Sequence, residues 1–311
     1  MTESSYHRVL VAIDGSKRSF QTVDYITRTA PFRKMEINLY HVFSSIPESF
    51  WDLEREPSSI NVTAQVRAWE SQQRKEIEKH LAHCREMLLA ADFHPKRIKV
   101  TIHKRKQGIA RDIIAESQNG YDAVVMRRRG MSRLPGLIIG SVAYKLMAGI
   151  PSVPLIFAGR IGANNRILVA IDGSDNSMRV LDFVSRMVIG HDYEIALVNI
   201  FRKESGLAEK NEAISGVTDP CPEPASRAQN ILSAAKARMQ LAGIAENKIS
   251  INAIADAHSR AGSIVDMAEK HDFRTIAIGR KGVSGVQGFV MGRVCFKVLH
   301  IGRRFNVWMI N

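Results

Sequence analysis

Short apolar runs alternate with stretches of helical spacing along the whole chain. Val9–Asp14 opens as an unbroken apolar run, the pattern of a strand buried on both faces. Ser16–Thr29 predicts a helix with Ser16 as its N-cap. Glu36–Phe43 predicts a second strand. The polar stretch Ser44–Asn61, with Pro47 and Pro57, predicts a long loop. Over Val62–Ala91 the residues Val66, Trp69, Ile77, Leu81, Cys84 and Leu88 share one stripe, which predicts an amphipathic helix. Strands follow at Ile98–His103, Ala123–Met126 and Val153–Phe157, with helices at Ala110–Gln118 and Leu137–Ala148 between them.

The same order then recurs. Residues 8–19 (RVLVAIDGSKRS) and 166–177 (RILVAIDGSDNS) agree at nine of twelve positions, at an offset of 158. Glu36–Phe43 matches Glu194–Phe201 at the same offset, and Gly130 and Gly140 match Gly282 and Gly292 at an offset of 152. Three ordered matches mean a duplicated domain, because the period is too long for a solenoid unit. The expected domains are 1–160 and 161–311, joined by a turn near Arg160–Asn165. Strands are expected at Ile167–Asp172, Glu194–Phe201, Ile249–Ile254, Thr275–Ile278 and Asn306–Ile310. Helices are expected near Asn176–Val188, Ala225–Leu241, Gly262–Lys270 and Phe289–Leu299. Alternating strands and helices predict open parallel sheets covered on both faces, an α/β class. The apolar last strands Val153–Phe157 and Asn306–Ile310 need partners or cover, which predicts that the halves pack together through them.

Composition narrows the picture. Hydrophobic residues make up 45% and charged residues 24% of the 311, as in a globular chain. No stretch reaches the ~18 consecutive apolar residues of a membrane span, and MTESSYHR has no apolar signal segment. Cys84, Cys221 and Cys295 are far apart and form no metal-type pair, which fits a reducing, cytoplasmic setting. The net charge is +13. The first 160 residues carry 25 basic and 16 acidic side chains, and most of the excess lies between Lys99 and Lys145. Such a balance favours anionic partners, and equally describes an ordinary basic surface.

In open α/β sheets ligands bind beyond the carboxyl ends of the strands. Asp14-Gly15-Ser16 and Asp172-Gly173-Ser174 stand there. A carboxylate at that point can accept from a ribose hydroxyl or a base amino group; the same tripeptide is also ordinary turn chemistry. After the fourth strand of the second half come Gly279, Gly282 and, nine residues on, Gly292, a G-x2-G-x9-G spacing. Glycines admit a ligand close to the backbone, and the helix opened by Gly292 offers free N–H groups to a phosphate. The first half has Arg127, Gly130 and Gly140-Ser141 in the same places.

On these residues the chain resembles a tandem universal stress protein, over essentially its whole length. The resemblance implies two tandem five-stranded parallel sheets of Rossmann-like, adenine-nucleotide alpha hydrolase-like fold. Many members bind ATP at the ends of the first, second and fourth strands; others lack the glycines and do not. Carried across, Asp14 and Asp172 stand near adenine and ribose. Val42 and Ile200 present backbone to adenine, and Met126 and Ile278 precede the glycine loop. Gly130, Gly140 and Ser141 in the first half, and Gly279, Gly282 and Gly292 in the second, match the phosphate and ribose positions. Both halves depart from the pattern. Arg127 replaces the leading glycine of the first, and Arg293 replaces the hydroxyl residue of the second, bringing a cation that can reach a phosphate. The second half is therefore the favoured site for ATP or a related adenine nucleotide, with Mg²⁺ accompanying it. Assembly into a homodimer is a further implication.

Other signals read more plainly. Arg127, Arg128, Arg129 and Arg133 are expected in a solvated loop; no aromatic RNA-binding or helix-turn-helix pattern accompanies them, so nucleic acid is not indicated. His80 and Cys84 are spaced as a metal pair, but Cys84 lies on the apolar stripe and core packing is expected. Cys295 is expected to be a buried thiol rather than an activated one. No nucleophile–base constellation emerges, so any ATP hydrolysis should be slow. Two readings stay open: a nucleotide-binding stress-response regulator, and an interaction protein that has lost nucleotide binding. The protein partners are unknown in either.

Overall fold

The computed structural model describes residues 8–44, 60–129, 139–202, 223–256, 259–282 and 291–311. The chain divides into two compact units, one of His7–Val153 and one built on Pro154–Asn311.

The first unit runs β1 (Arg8–Ala12), α1 (Phe20–Arg28), β2 (Glu36–Phe43), α2 (Ile60–Ala90), β3 (Ile98–Lys104), α3 (Ile109–Ser117), β4 (Ala123–Arg127) and α4 (Ser141–Gly149). Its strands lie in the order β3-β2-β1-β4, all parallel. Crossovers between parallel strands are right-handed. The steps β1 to β2 to β3 move one way across the sheet and the step to β4 moves back. α1 and α2 therefore share one face, and α3 takes the other with α4 packed beside it.

The second unit begins with β5 (Leu155–Ala158) and continues β6 (Arg166–Ala170), α5 (Asp175–Val188), β7 (Glu194–Arg202), α6 (Pro224–Leu241), β8 (Ile249–Asp256), α7 (Arg260–Lys270), β9 (Thr275–Gly279), α8 (Arg293–Ile301) and β10 (Asn306–Ile310). Its order is β5-β10-β9-β6-β7-β8. Only β5 is antiparallel, with Phe157 opposite Val307 and Ile156 opposite Trp308. Strands covered on both faces bury every side chain, which explains their unbroken apolar runs. Val9, Leu10, Val11, Ile167, Leu168 and Val169 are fully buried. Trp308 is 1% exposed and meets the Phe183 ring edge-to-face at 5.6 Å.

Several expected boundaries shift. Ser16 does not cap a helix: a 3-10 turn spans Lys17–Ser19 and α1 begins at Phe20. Its counterpart Ser174 does cap α5, accepting from Ser177 N at 3.2 Å. α4 begins at Ser141 and α8 at Arg293, each with the preceding glycine as N-cap, so both helices start later than the apolar pattern predicts. The stripe of α2 is buried only at Leu81, Cys84 and Leu88; Trp69 is 56% exposed. Length is the reason. A helix of 31 residues is about 46 Å long, and a seven-residue strand only about 23 Å. The first half of α2 therefore runs past the sheet.

A buried asparagine ties the start of the second unit to its core. Asn306 is fully buried; its Oδ1 accepts from Gly159 N at 2.7 Å, and its Nδ2 donates to Gly162 O and to Arg274 O. Asn306→Ala removes the side-chain partner of the buried Gly159 N and of the half-buried Gly162 O, while Arg274 O keeps the backbone N–H of residue 306. A buried group left unpaired costs about 1–3 kcal/mol, so the variant should lose on the order of that amount in urea unfolding.

Candidate functional site

The strand order reverses between β1 and β4 and again between β6 and β9, and crevices open at the carboxyl ends of these pairs. Asp14 and Asp172 stand at those ends. Asp14 Oδ1 accepts from Ser16 N at 3.0 Å and Ser16 Oγ at 2.8 Å. Asp172 Oδ1 accepts from Ser174 N at 3.1 Å and Ser174 Oγ at 2.6 Å. The turns between them need glycine: Gly15 and Gly173 have φ of 80° and 81°. Each carboxylate is thus both a turn element and a group with its second oxygen outside the turn.

The wall of each crevice is a strand overhang. β1 ends with Ala12 opposite Tyr40, while β2 continues through Val42 to Phe43. β6 ends with Ala170 opposite Val198, while β7 continues through Ile200 to Arg202. Val42 is buried and Ile200 half-buried. At the start of each overhang a side chain closes onto the residue before the aspartate. His41 Nδ1 donates to Ile13 O at 2.8 Å, and Asn199 Nδ2 donates to Ile171 O at 2.8 Å. A carbonyl can only accept, so the neutral His41 ring carries its proton on Nδ1.

The glycine loops close alike. Gly140 N donates to Arg128 O at 2.7 Å, and Gly292 N to Arg280 O at 2.8 Å. In the second half Gly282 sits against Asp172, so near that a Cβ would overlap Asp172 Oδ2. A Cβ on Gly292 would lie 3.6 Å from Gly282 N. The fold thereby brings Asp172, Gly282 and Gly292 together. Gly279, after the buried Ile278, lets α5 approach: Asn176 Nδ2 donates to Lys281 O at 3.1 Å across it. In the first half Met126 is buried and Arg127 stands half-buried where Gly279 does. Ser141 and Arg293 are exposed first residues of α4 and α8. Gly130, Arg133 and Cys221 lie outside the described residues.

The expectation of a solvated arginine loop is corrected at one residue. Arg128 is 6% exposed and its counterpart Arg280 7%. Arg280 Nη1 donates to Asn311 Oδ1 at 3.0 Å, and its N–H donates to Ile310 O at 2.6 Å. Burial pulls its guanidinium below the usual value, opposed by Cys295 in the first turn of α8. Cys295 is itself buried, which pushes its thiol up to about 12, so it is a protonated packing residue. The signal for this pair was the recurrence of arginine at an offset of 152.

Around Asp14 the first half adds histidines that the second lacks. His80 Nε2 lies 2.7 Å from Ser19 Oγ and its ring stacks on Phe20 at 4.2 Å. Burial lowers the His80 pKa against the pull of Asp14, with His41 and His83 lowering it further. Burial likewise lowers that of His41, against its Ile13 contact and Asp14. Cys84 is buried and its thiol is pushed up to about 12. Among the described residues no three His, Cys, Asp or Glu side chains cluster to hold a metal, and no helix is long and apolar enough to cross a membrane.

The description "universal stress protein family" fits the chain twice, at residues 5–154 and 163–302. No curated protein sequence matches it. Among solved structures, a universal stress protein from Archaeoglobus fulgidus DSM 4304 is 18% identical, with a TM-score of 0.64 and 99% of both chains covered. One described as putative, from Pseudomonas aeruginosa UCBPP-PA14, is 16% identical with a TM-score of 0.58, covering 99% of this chain and 94% of that one. These likenesses show the same fold, the Rossmann-like α/β arrangement.

The two histidines imply an acid-side loss of stability. Their folded pKa values lie below the unfolded value of about 6.5. In the window below about 6.5 the unfolded chain binds more protons, so stability falls as pH falls. Thermal midpoints should drop on acidification through that window. His41→Asn keeps the backbone contact in the manner of Asn199 and should flatten the drop; an unchanged profile would remove His41 from the account.

Proposed function

Because this chain belongs to the universal stress protein family, we propose that it is a cytoplasmic stress-response regulator that binds ATP or a related adenine nucleotide, with the second half as the favoured site. The observation that carries this reading is the seat of Gly282 against Asp172, with Gly292 closing the loop onto Arg280 O. The resemblance assigns the Asp172 carboxylate to the adenosine end, and its Oδ1 accepts within its own turn. The resemblance puts adenine against the backbone at Ile200 and Ile278, which lie in β7 and β9.

The phosphates would meet the start of α8. The first N–H groups of a helix have no partner in its own ladder, and its dipole is positive there. Arg280 puts a buried cation beside that end, next to Cys295, and Arg293 adds an exposed one. An anion relieves the crowding of positive charge. Mg²⁺ enters only as the counter-ion that nucleotide phosphates carry. Among the described residues no oriented general base stands near Asp172, and we read any ATP hydrolysis there as slow. In the first half Arg127 stands where the second has Gly279, and we take a side chain at that position to disfavour a ribose there.

Calorimetric titration with ATP tests the reading. Asp172→Ala should weaken binding by about tenfold or more, the scale of a charge-assisted hydrogen bond. Asp14→Ala should matter less. Gly282→Val should abolish binding, because its side chain needs the space of Asp172 Oδ2. Loss of binding in Asp14→Ala with Gly282→Val unaffected would move the site to the first half. No heat with ATP and no 260 nm absorbance from a carried nucleotide would leave the interaction-protein reading.

A further inference from the structure

β8 is the last strand in the order of the second unit, and among the described residues only β7 pairs with it. Its other edge carries backbone N–H and C=O groups along eight residues, Ile249–Asp256, or about 26 Å of strand. An open edge is a template for one more strand, and proteins commonly block it with charge, proline or a bulge. Between Ile249 and Ala255 there is no charged residue, no proline and no glycine. The register with β7 runs residue for residue from Ile195–Ile249 to Arg202–Asp256, so no bulge turns the edge away. The exposed side chains along it, Ser250, Ala253 and Ala255, are small and leave the backbone accessible.

The first unit has the same strand with its edge blocked. β3 pairs with β2 as β8 pairs with β7, and the matched registers set Lys99 against Ser250, His103 against Ile254 and Lys104 against Ala255. Lys99 and Lys104 are exposed. Edge lysines are a common device against strand addition, because a second strand would have to bury or oppose their charge. One copy of the fold carries that guard and the other does not.

The helix flank beside the open edge adds little charge. Arg238 Nε donates to Asp182 of α5 at 2.7 Å. Lys236 is two positions away, about 200° round the helix, and its Nζ donates to Glu246, just before β8, at 2.8 Å. The Lys236 side of α6 is therefore the side at β8. Gln229, Ser233 and Gln240 stand at i−7, i−3 and i+4 from Lys236, so they share its face, and all three are exposed. This flank presents amides and a hydroxyl around one internal ion pair.

We propose that β8 adds antiparallel to β8 of a second copy of this chain, so that two second units share one continuous sheet. Such a pair uses the same edge of both chains about a twofold axis, and it closes at two. The charges fit this arrangement. Lys248 and Asp256, at the two ends of the strand, have opposite signs, so an antiparallel register centred within the strand sets no like charges opposite each other. Lys248 already meets Asp192 at 2.6 Å, so the pairing is favoured by the absence of facing like charges rather than by a new ion pair. A neutral strand selects a neutral partner, and its own copy is one. β7 stands between β8 and the crevice at Asp172, so the pairing does not depend on the nucleotide reading.

Sedimentation equilibrium of the full chain at micromolar concentrations tests this. The mass should rise with concentration to twice the 34.7 kDa of one chain and stop there. The double variant Ser250→Lys/Ala255→Lys copies the guard of the first unit and should stay at the mass of one chain. Both positions are exposed, and an unchanged thermal midpoint will show that folding is intact. Ala115→Lys/Ala148→Lys adds the same charge at exposed helix positions of the first unit and should still pair. Hydrogen exchange reads the surface in the unmodified chain: amides of Ile249–Ala255 should exchange more slowly at high concentration than at low. The proposal is overturned by the mass of one chain at every concentration, by growth beyond two chains, by a dimer that survives the β8 lysines, or by a dimer whose β8 amides exchange as fast as those of the single chain.

Discussion

A central parallel strand whose two neighbours are reached in opposite chain directions cannot have its carboxyl end covered by either crossover. β1 and β6 are both in this position, between β2 and β4 and between β7 and β9. Right-handed crossovers send the helices of the two directions to opposite faces. What is left between them is a crevice whose floor is the turn after the central strand. The aspartate turns, the strand overhangs and the glycine loops are all consequences of that one reversal. Asp14 and Asp172 are held in tight turns, so their positions are set by backbone and not by ligand.

Duplication lets the two copies serve as controls for one another. Where the chemistry is required by the fold, they agree: the glycine-to-arginine closure, the buried arginine, and the polar side chain donating to the residue before the aspartate. Where it is not, they diverge. Arg127 faces Gly279 across the repeat, and Lys104 faces Ala255. The second copy keeps glycine where the first has Arg127, and the first gathers histidines near Asp14. The two units therefore carry different chemistry on one topology.

Much of this was legible in the chain. Parallel strands buried on both faces leave unbroken apolar runs, and strands such as β1 and β6 were visible that way, while the edge strands β3 and β8 mix polar and apolar residues. The repeat located the aspartate turns and the glycine loops, because a duplicated domain must place matching residues at matching strand ends. Helix starts were less legible. Apolar spacing continues through Leu137 and Phe289, yet α4 and α8 begin only after Gly140 and Gly292, since the cap and not the periodicity sets where a helix begins.

Sequence alone determined the class, the duplication and which strand ends carry chemistry, because local periodicity and matched spacing are properties of neighbours along the chain. Tertiary structure decided the rest. It buried Arg128, which read as a solvated arginine, and its counterpart Arg280 alike, because depth depends on how elements stack around a residue. It exposed Trp69, which shares the stripe of Leu81, because a long helix outruns a short strand. It set Gly282 against Asp172 across 110 positions of chain, a proximity that only the packing of β9 beside β6 produces. Side-chain depth and long-range approach follow from how elements stack, and no local pattern encodes them.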